Sequence, residues 1–483
     1  MIFGVVVAVF ALALMGYGVL RALLGSHSSC ISRPILLSLA FGAGVGLQGL
    51  GLFYLSYWTV PLNLRNASLL LCGLLVGGWG CAILRRSRNQ LEMDNGEQSS
   101  VVDAGKSAEQ WNRLQIGLFL FIACAAVLVF VDACGQPLFS FDSRATWAYK
   151  AKVLYYEGGI YGDAFFDPDR LHAKTRYPPL IPFEEAFLAF CAGRFEERVF
   201  KVVFPFYFLS LILLLFFTLR TRLRRTNAFW AVGLFSTLPG LLIFVNGGAA
   251  SGYADVPLAF NFTALVLLLF QWLRTQSHRV LPVAGLFGVL TAFTKMEGVA
   301  LLLLSLGVTG MAALLILQRR LRTILIFLSL LVGMGLLLLP WFHFQSRLPV
   351  LDEDLYHLLT VPRVIAGLGR LPAILLAFGK EVFLKPHLWG FLGFFFLLAL
   401  ANCRKKAVAC KDFILIAIPL LYAVLLGAVF LVTPWQLDVL LPLTASRLMM
   451  HTVALIFIWV TWELNPSGLE GYSSDDDSPE TAF

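Results

Sequence analysis

Long apolar runs separated by short polar stretches dominate the chain. Runs near the length that crosses a bilayer as a helix, about 20 residues with some shorter, lie at 2–24, 35–57, 68–84, 114–132, 198–219, 228–246, 256–273, 280–293, 298–317, 322–343, 388–402, 412–432 and 447–462. The pattern predicts an all-α polytopic membrane protein with about thirteen transmembrane helices. Two interruptions are long, 133–197 and 344–387. In the first, Trp147, Ala151, Leu154 and Tyr155 fall at i, i+4, i+7 and i+8 and make one apolar face, while Arg144, Lys150, Lys152 and Glu157 are charged. That periodicity predicts a helix lying flat at the lipid interface, with Asp142 at its head. Tyr177 to Pro179 excludes helix, because each proline also restricts its predecessor, and a second short helix is expected from Pro182 through Glu184 and Glu185.

Charge orients the spans. The clusters Arg85/Arg86/Arg88, Arg220/Arg222/Arg224/Arg225, Arg274/Arg279, Arg319/Arg320/Arg322 and Arg404/Lys405/Lys406 each follow an odd-numbered run, so all fall on one face, the cytoplasmic one. The outer face then receives 133–197, the GGAASGYAD stretch ending at Asp255, the Lys295–Glu297 turn and 344–387. The expected organisation is three leading spans (1–84), a polar cytoplasmic linker (85–113), a membrane module (114–320), a C-terminal membrane region (321–462) and an acidic tail (463–483). The first run lacks a basic leader and is expected to be retained as a span. GAGVG at 42–46 lies inside a span and is expected to serve helix packing.

Composition agrees. With 59% hydrophobic and 14% charged residues, the chain carries more apolar surface than a soluble core needs. Its net charge of +8 would suit a nucleic-acid binder, but the cations sit in short inter-span clusters as membrane topology requires, so no nucleic-acid partner is expected. None of the eight cysteines forms a CxxC pair or lies at ligand spacing with histidine.

Ionisable groups at a membrane boundary are costly and point to function. Asp142 is placed to act as a general base or to cap the interfacial helix. Asp255, before Val256 and Pro257, reads equally as a helix cap; with Asp142 on the same face, the two acids are placed to share a hydroxyl acceptor or to hold a divalent cation, Mg or Mn, through oxygen ligands. Lys295 and Glu297 form either a charged turn or a phosphate contact. Trp147, Lys150, His172, Arg176 and Tyr177 are candidates to line a pocket; Arg347, Arg363 and Arg370 offer further cations among Asp352, Glu353 and Asp354.

Taken in order, Asp142 before a juxtamembrane helix with Trp147 and Lys150, then YPPL, GYADVPL and TKMEG, the region 114–320 resembles the GT-C superfamily of integral-membrane glycosyltransferases, in particular the protein O-mannosyltransferase and lipid A aminoarabinose transferase group. The resemblance implies catalytic acids at Asp142 and Asp255 and a sugar donor carried on polyprenyl phosphate, its phosphate held by Lys295, Arg144 and cations such as Arg347, Arg363 or Arg370. It further implies a lipid, glycan or protein acceptor and inverting transfer on the outer (periplasmic or extracytoplasmic) face of an inner or plasma membrane. Two departures stand out: Ser143 and Arg144 follow Asp142 where the family often pairs acids, and three spans precede the module. The alternative, a transporter or flippase of lipid-linked saccharides, predicts broken helices and charges near the bilayer midplane.

Overall fold

The computed structural model describes residues 2–25, 31–94, 110–317, 320–350, 358–403 and 411–465. Most of the polar linker, the acids at 352–354, the basic cluster at 404–406 and the tail from 466 lie outside them. Among the described residues every regular element is helical. In chain order the principal helices are α1 (Ile2–Leu24), α2 (Arg33–Tyr57), α3 (Leu64–Asp94), α4 (Arg113–Gly135), α5 (Tyr149–Glu157), α6 (Leu180–Ala192), α7 (Val203–Leu219), α8 (Arg225–Ser236) and α9 (Asp255–Thr275). They continue with α10 (Leu281–Thr294), α11 (Met296–Ile316), α12 (Arg320–Gln345), α13 (Leu371–Phe383), α14 (Leu392–Cys403), α15 (Ile414–Val432), α16 (Leu437–Met450) and α17 (Val453–Leu464).

Ten described helices are long and apolar enough to cross a membrane, eleven if the bent pair α16–α17 is one span. The chain is an integral, multi-pass membrane protein, with fewer full-length spans than the thirteen runs suggested. The run at 228–246 breaks after Ser236, because Pro239 cannot continue the helix. Its remaining 12 residues rise about 18 Å, short of the roughly 30 Å hydrocarbon core. α10 and α14, at 14 and 12 residues, are short as well. Conversely, Val361–Phe383 inside the expected 344–387 loop is helical and long enough to cross. Pro362, Arg363, Arg370, Pro372 and Lys380 punctuate its sequence and hide the apolar run. The last span begins ten residues earlier than its apolar run, at Leu437, and bends by 58° between Met450 and Val453.

α9 is the enclosed centre of the molecule, its spanning stretch wholly buried. α2 packs into the same core: Gly42, Gly46 and Gly49 bring its backbone against Phe260 of α9, Leu290 of α10 and Leu180 of α6. Small residues permit such close approach where lipid offers no hydrophobic drive. The leading helices are therefore built into the module that follows them.

Candidate functional site

The interfacial segment forms, with a difference. Ser143–Ala148 is a π-helical turn before α5. Trp147, Ala151 and Leu154 bury the expected apolar face, and α5 lays that face on α6 inside the protein rather than on lipid.

Neither acid is a cap. Asp142 has helical backbone angles, φ −62° and ψ −36°, and its side chain makes no capping bond. Asp255 is the first residue of α9, behind an uncapped Ala254. Both carboxylates turn to Arg447 on α16. Arg447 Nη1 donates to Asp142 Oδ2 at 2.8 Å, and Nη2 donates to Asp255 Oδ2 at 3.3 Å. Lys295 Nζ donates to Asp255 Oδ1 at 2.9 Å and lies 3.1 Å from Glu297 Oε1.

His451, at the bend between α16 and α17, completes the cluster. Its Nε2 lies 2.9 Å from Asp255 Oδ1 and its Nδ1 lies 3.1 Å from the Tyr422 hydroxyl of α15. A carboxylate only accepts, so Nε2 carries a proton. A buried carboxylate without such partners costs several kcal/mol, roughly; Asp255, fully enclosed, is thus the hub that fixes three donors in place. The guanidinium of Arg447 stacks 4.4 Å from the Tyr253 ring. Burial, then the Asp142 charge, pushes the Tyr253 phenol up to about 12, so it stays protonated near neutral pH.

A cavity of about 940 Å³ opens onto this cluster. One end is polar, lined by Asp142, Thr146, Trp147, Lys174, Tyr177, Lys295, Glu297 and Arg447. The remainder is apolar and drawn from α11, α15 and α16, with Ala300, Leu426, Val429, Phe430, Val439 and Leu443 on its walls. Four lining residues keep a buried polar atom without a hydrogen-bond partner: Thr146 Oγ1, Trp147 Nε1, Glu297 Oε2 and Arg447 Nε. Buried polar atoms are nearly always paired, so these four, contributed by the Ser143–Ala148 turn, α11 and α16, stand open to a further partner.

Of the residues singled out in the sequence, Asp142, Trp147, Tyr177, Lys295 and Glu297 line this cavity, and Asp255 lies directly behind it. The others lie elsewhere. Arg144 is exposed. Lys150 is buried in the scaffold, its Nζ donating to the carbonyls of Lys174 and Tyr177 at 3.2 and 3.3 Å. Arg176 Nη1 holds the carbonyls of Gln345 and Leu348, each at 3.1 Å, and fastens the loop to the end of α12. Arg347 donates to His343 and Arg370 to the Thr433 carbonyl, Arg363 is exposed, and none of the three lines the cavity. The His172 side chain lies outside the described residues.

Asp142 and Asp255 do not face a common open coordination site, because Arg447 stands between them; a divalent cation would have to displace it. Among the described residues no group of three or more His, Cys, Asp or Glu is arranged to hold a metal.

Lys174, Tyr422, Arg447 and His451 are the residues that sequence reasoning missed. Arg447 and His451 did carry a signal: two ionisable groups at i, i+4 in the apolar run SRLMMHTVAL. Tyr422, one apolar-looking position among many in α15, carried none.

Fold and site together define a class: a multi-pass helical membrane protein with a buried charge cluster at the polar end of an otherwise apolar cavity. Comparison with family models, with curated proteins and with solved structures finds no match for the chain.

Proposed function

We propose that the protein is a membrane glycosyltransferase that moves a sugar from a polyprenyl-phosphate donor to an acceptor hydroxyl, with inversion, at the outer face of the membrane. The observation that carries the reading is the amphipathic cavity: a charged end lined by Lys174, Lys295 and Arg447 beside Asp142 and Glu297, with orphaned donors and acceptors, continuous with apolar walls. A lipid joined to a sugar through a phosphate has that distribution of polarity.

In this reading Asp142 is the base. It takes the proton of the acceptor hydroxyl as the hydroxyl oxygen bonds to the anomeric carbon. The anomeric carbon–oxygen bond to phosphate breaks, and polyprenyl phosphate leaves with the electron pair. Lys295 and Arg447 supply the positive charge that a departing phosphate needs. Asp255 and His451 position those cations and do not touch the sugar. Because Asp142 is paired with Arg447, an arriving phosphate that draws the guanidinium to itself also frees the base.

The test is transfer of labelled sugar from a panel of polyprenyl-phosphate donors to membrane-extract acceptors, with Asp142→Asn in parallel. A loss of about a hundredfold or more, the scale of a missing general base, with donor binding retained, is expected. Donor binding without transfer by the wild type would sink the enzyme reading.

One observation favours a second reading, transport of a lipid-linked saccharide: the span that carries Arg447 and His451 is broken at their level, as substrate-binding helices of transporters are. Movement of labelled lipid-linked sugar between leaflets of proteoliposomes, without acceptor, would favour it.

A further inference from the structure

Asp142 and Asp255 hold the tip of Arg447, but the backbone that carries it is interrupted on both sides. Pro442 stands inside α16 and leaves the Asp438 carbonyl without its helical donor. The span then bends by 58° between Met450 and Val453. Arg447 therefore rides on residues 443–450, a piece about 12 Å long. Its rotation about its own axis is left to lateral contacts.

One face of α16 lines the cavity through Val439, Leu443 and Arg447 among others. The buried residues of α16 are Leu441, Ala445, Ser446 and Met450, and Ser446 alone among them is polar. Its Oγ donates to Glu381 Oε1 at 2.5 Å. Glu381, buried near the end of α13, accepts at the same oxygen from Trp389 Nε1 at 3.0 Å and pairs through Oε2 with Lys385 Nζ at 2.5 Å. Trp389 in turn lies against Gly240, where a Cβ would meet its ring at 2.9 Å. The clamp is thus seated on the turn that follows α8. Well-packed apolar residues often stabilise an interior as well as a buried ion pair does, so adhesion alone does not account for a carboxylate here. Its distinct effect is direction, because the Ser446 hydroxyl reaches Glu381 at one rotation of α16.

Resting on the preceding reading of the site, we propose that Glu381 is a positioning residue for Arg447: through Ser446 it sets the rotation of 443–450 and so aims the guanidinium at the cavity. Glu381 itself touches neither donor nor acceptor. Its hold matters most when an arriving phosphate draws the guanidinium from Asp142, since one of the two contacts at the tip is then gone.

The test is binding of labelled undecaprenyl phosphate to the full-length protein in nanodiscs, for the wild type, Ser446→Ala, Arg447→Gln and the double variant, beside cryo-EM maps of the wild type and Ser446→Ala. Ser446→Ala leaves Glu381 its bonds to Trp389 and Lys385, so its melting temperature should stay within a few degrees of wild type. Binding should weaken about tenfold, and in the Arg447→Gln background the same change should cost nothing further, because residues acting through one another are not additive. A packing role alone would weaken binding equally in both backgrounds. Glu381→Leu, which removes the acceptor at similar volume, should match Ser446→Ala and add nothing to it. The map of Ser446→Ala should show Arg447 withdrawn from Asp142. Wild-type affinity in Ser446→Ala, or an equal loss in the Arg447→Gln background, would overturn the proposal. Absence of binding by the wild type overturns the donor reading alone; the map then decides, and an Arg447 still on both carboxylates in Ser446→Ala overturns the positioning role.

Discussion

Lys150 shows how far local surroundings reset a single residue. Its ammonium is enclosed, donates to two backbone carbonyls and lies 4.8 Å from the Trp147 ring. Burial first, and the Lys174 charge second, lower its pKa from 10.5 to about 7, against an opposing pull from Glu185. A lysine depressed in the folded state is protonated in the unfolded chain but not in the folded one between those two values. Stability therefore rises with pH through that window, by about 1.4 kcal/mol per unit for this group, and falls as pH drops toward 7. Thermal unfolding of the purified protein between pH 7 and 9 should show that slope in the wild type, and Lys150→Met should flatten it. An unchanged slope in the variant would assign the dependence to other groups. The same residue limits what sequence could show. A lysine in a charged, aromatic stretch reads as a pocket group, and only the fold reveals that two carbonyls already hold it.

At the scale of elements, the π turn of Ser143–Ala148 decides what the site can contain. At 100° per residue, positions five apart on an α-helix point about 140° away from each other, whereas i→i+5 bonding stacks them. Asp142 and Trp147 are five apart and both line the cavity. Deleting Ala145 brings them to i, i+4, which shares a face on an ordinary helix, so that variant should fold with a melting temperature within a few degrees of wild type. Inserting an alanine there places them six apart, which neither geometry tolerates. It should cost about 3 kcal/mol, through the broken Asp142–Arg447 pair or an expelled Trp147. Equal stability of the two variants by calorimetry would dismiss this account. Periodicity found the helix and its apolar face but assumed one pitch throughout. It likewise read the punctuated Val361–Phe383 as a loop and ran α8 through Pro239, because a window average sees composition and not the single proline that ends a helix.

For the whole molecule, the position of α2 matters most. Residues 1–84 read in the sequence as a separate leading group, yet α2 is mostly buried and touches α6, α9 and α10. In a chain this apolar, a face that meets lipid and a face that meets protein use the same residues, so the grouping of helices was not legible, although the glycines of GAGVG marked α2 as a packing helix. The convergence of Asp142, Asp255, Lys295 and Glu297 was legible, because charge near a membrane boundary is rare enough to stand out. Arg447 was assigned to the end of a span and its partners went unseen. If α2 is integral, residues 1–94 and 110–483 expressed as two tagged chains should assemble and co-purify, while 110–483 alone should aggregate. A monodisperse, stable 110–483 fragment would contradict that.

The apolar end of the site cavity is walled by α11, α15 and α16, and Trp435, Val439 and Leu443 are exposed along it. A molecule that occupies it arrives laterally, by diffusion within the plane of the bilayer. Its effective concentration is then a surface density, set by how many other lipids share the membrane and unaffected by the volume of buffer. Half-saturation should follow the lipid-to-ligand ratio: doubling the vesicle lipid at constant ligand halves occupancy in the dilute limit, while diluting the whole suspension changes nothing.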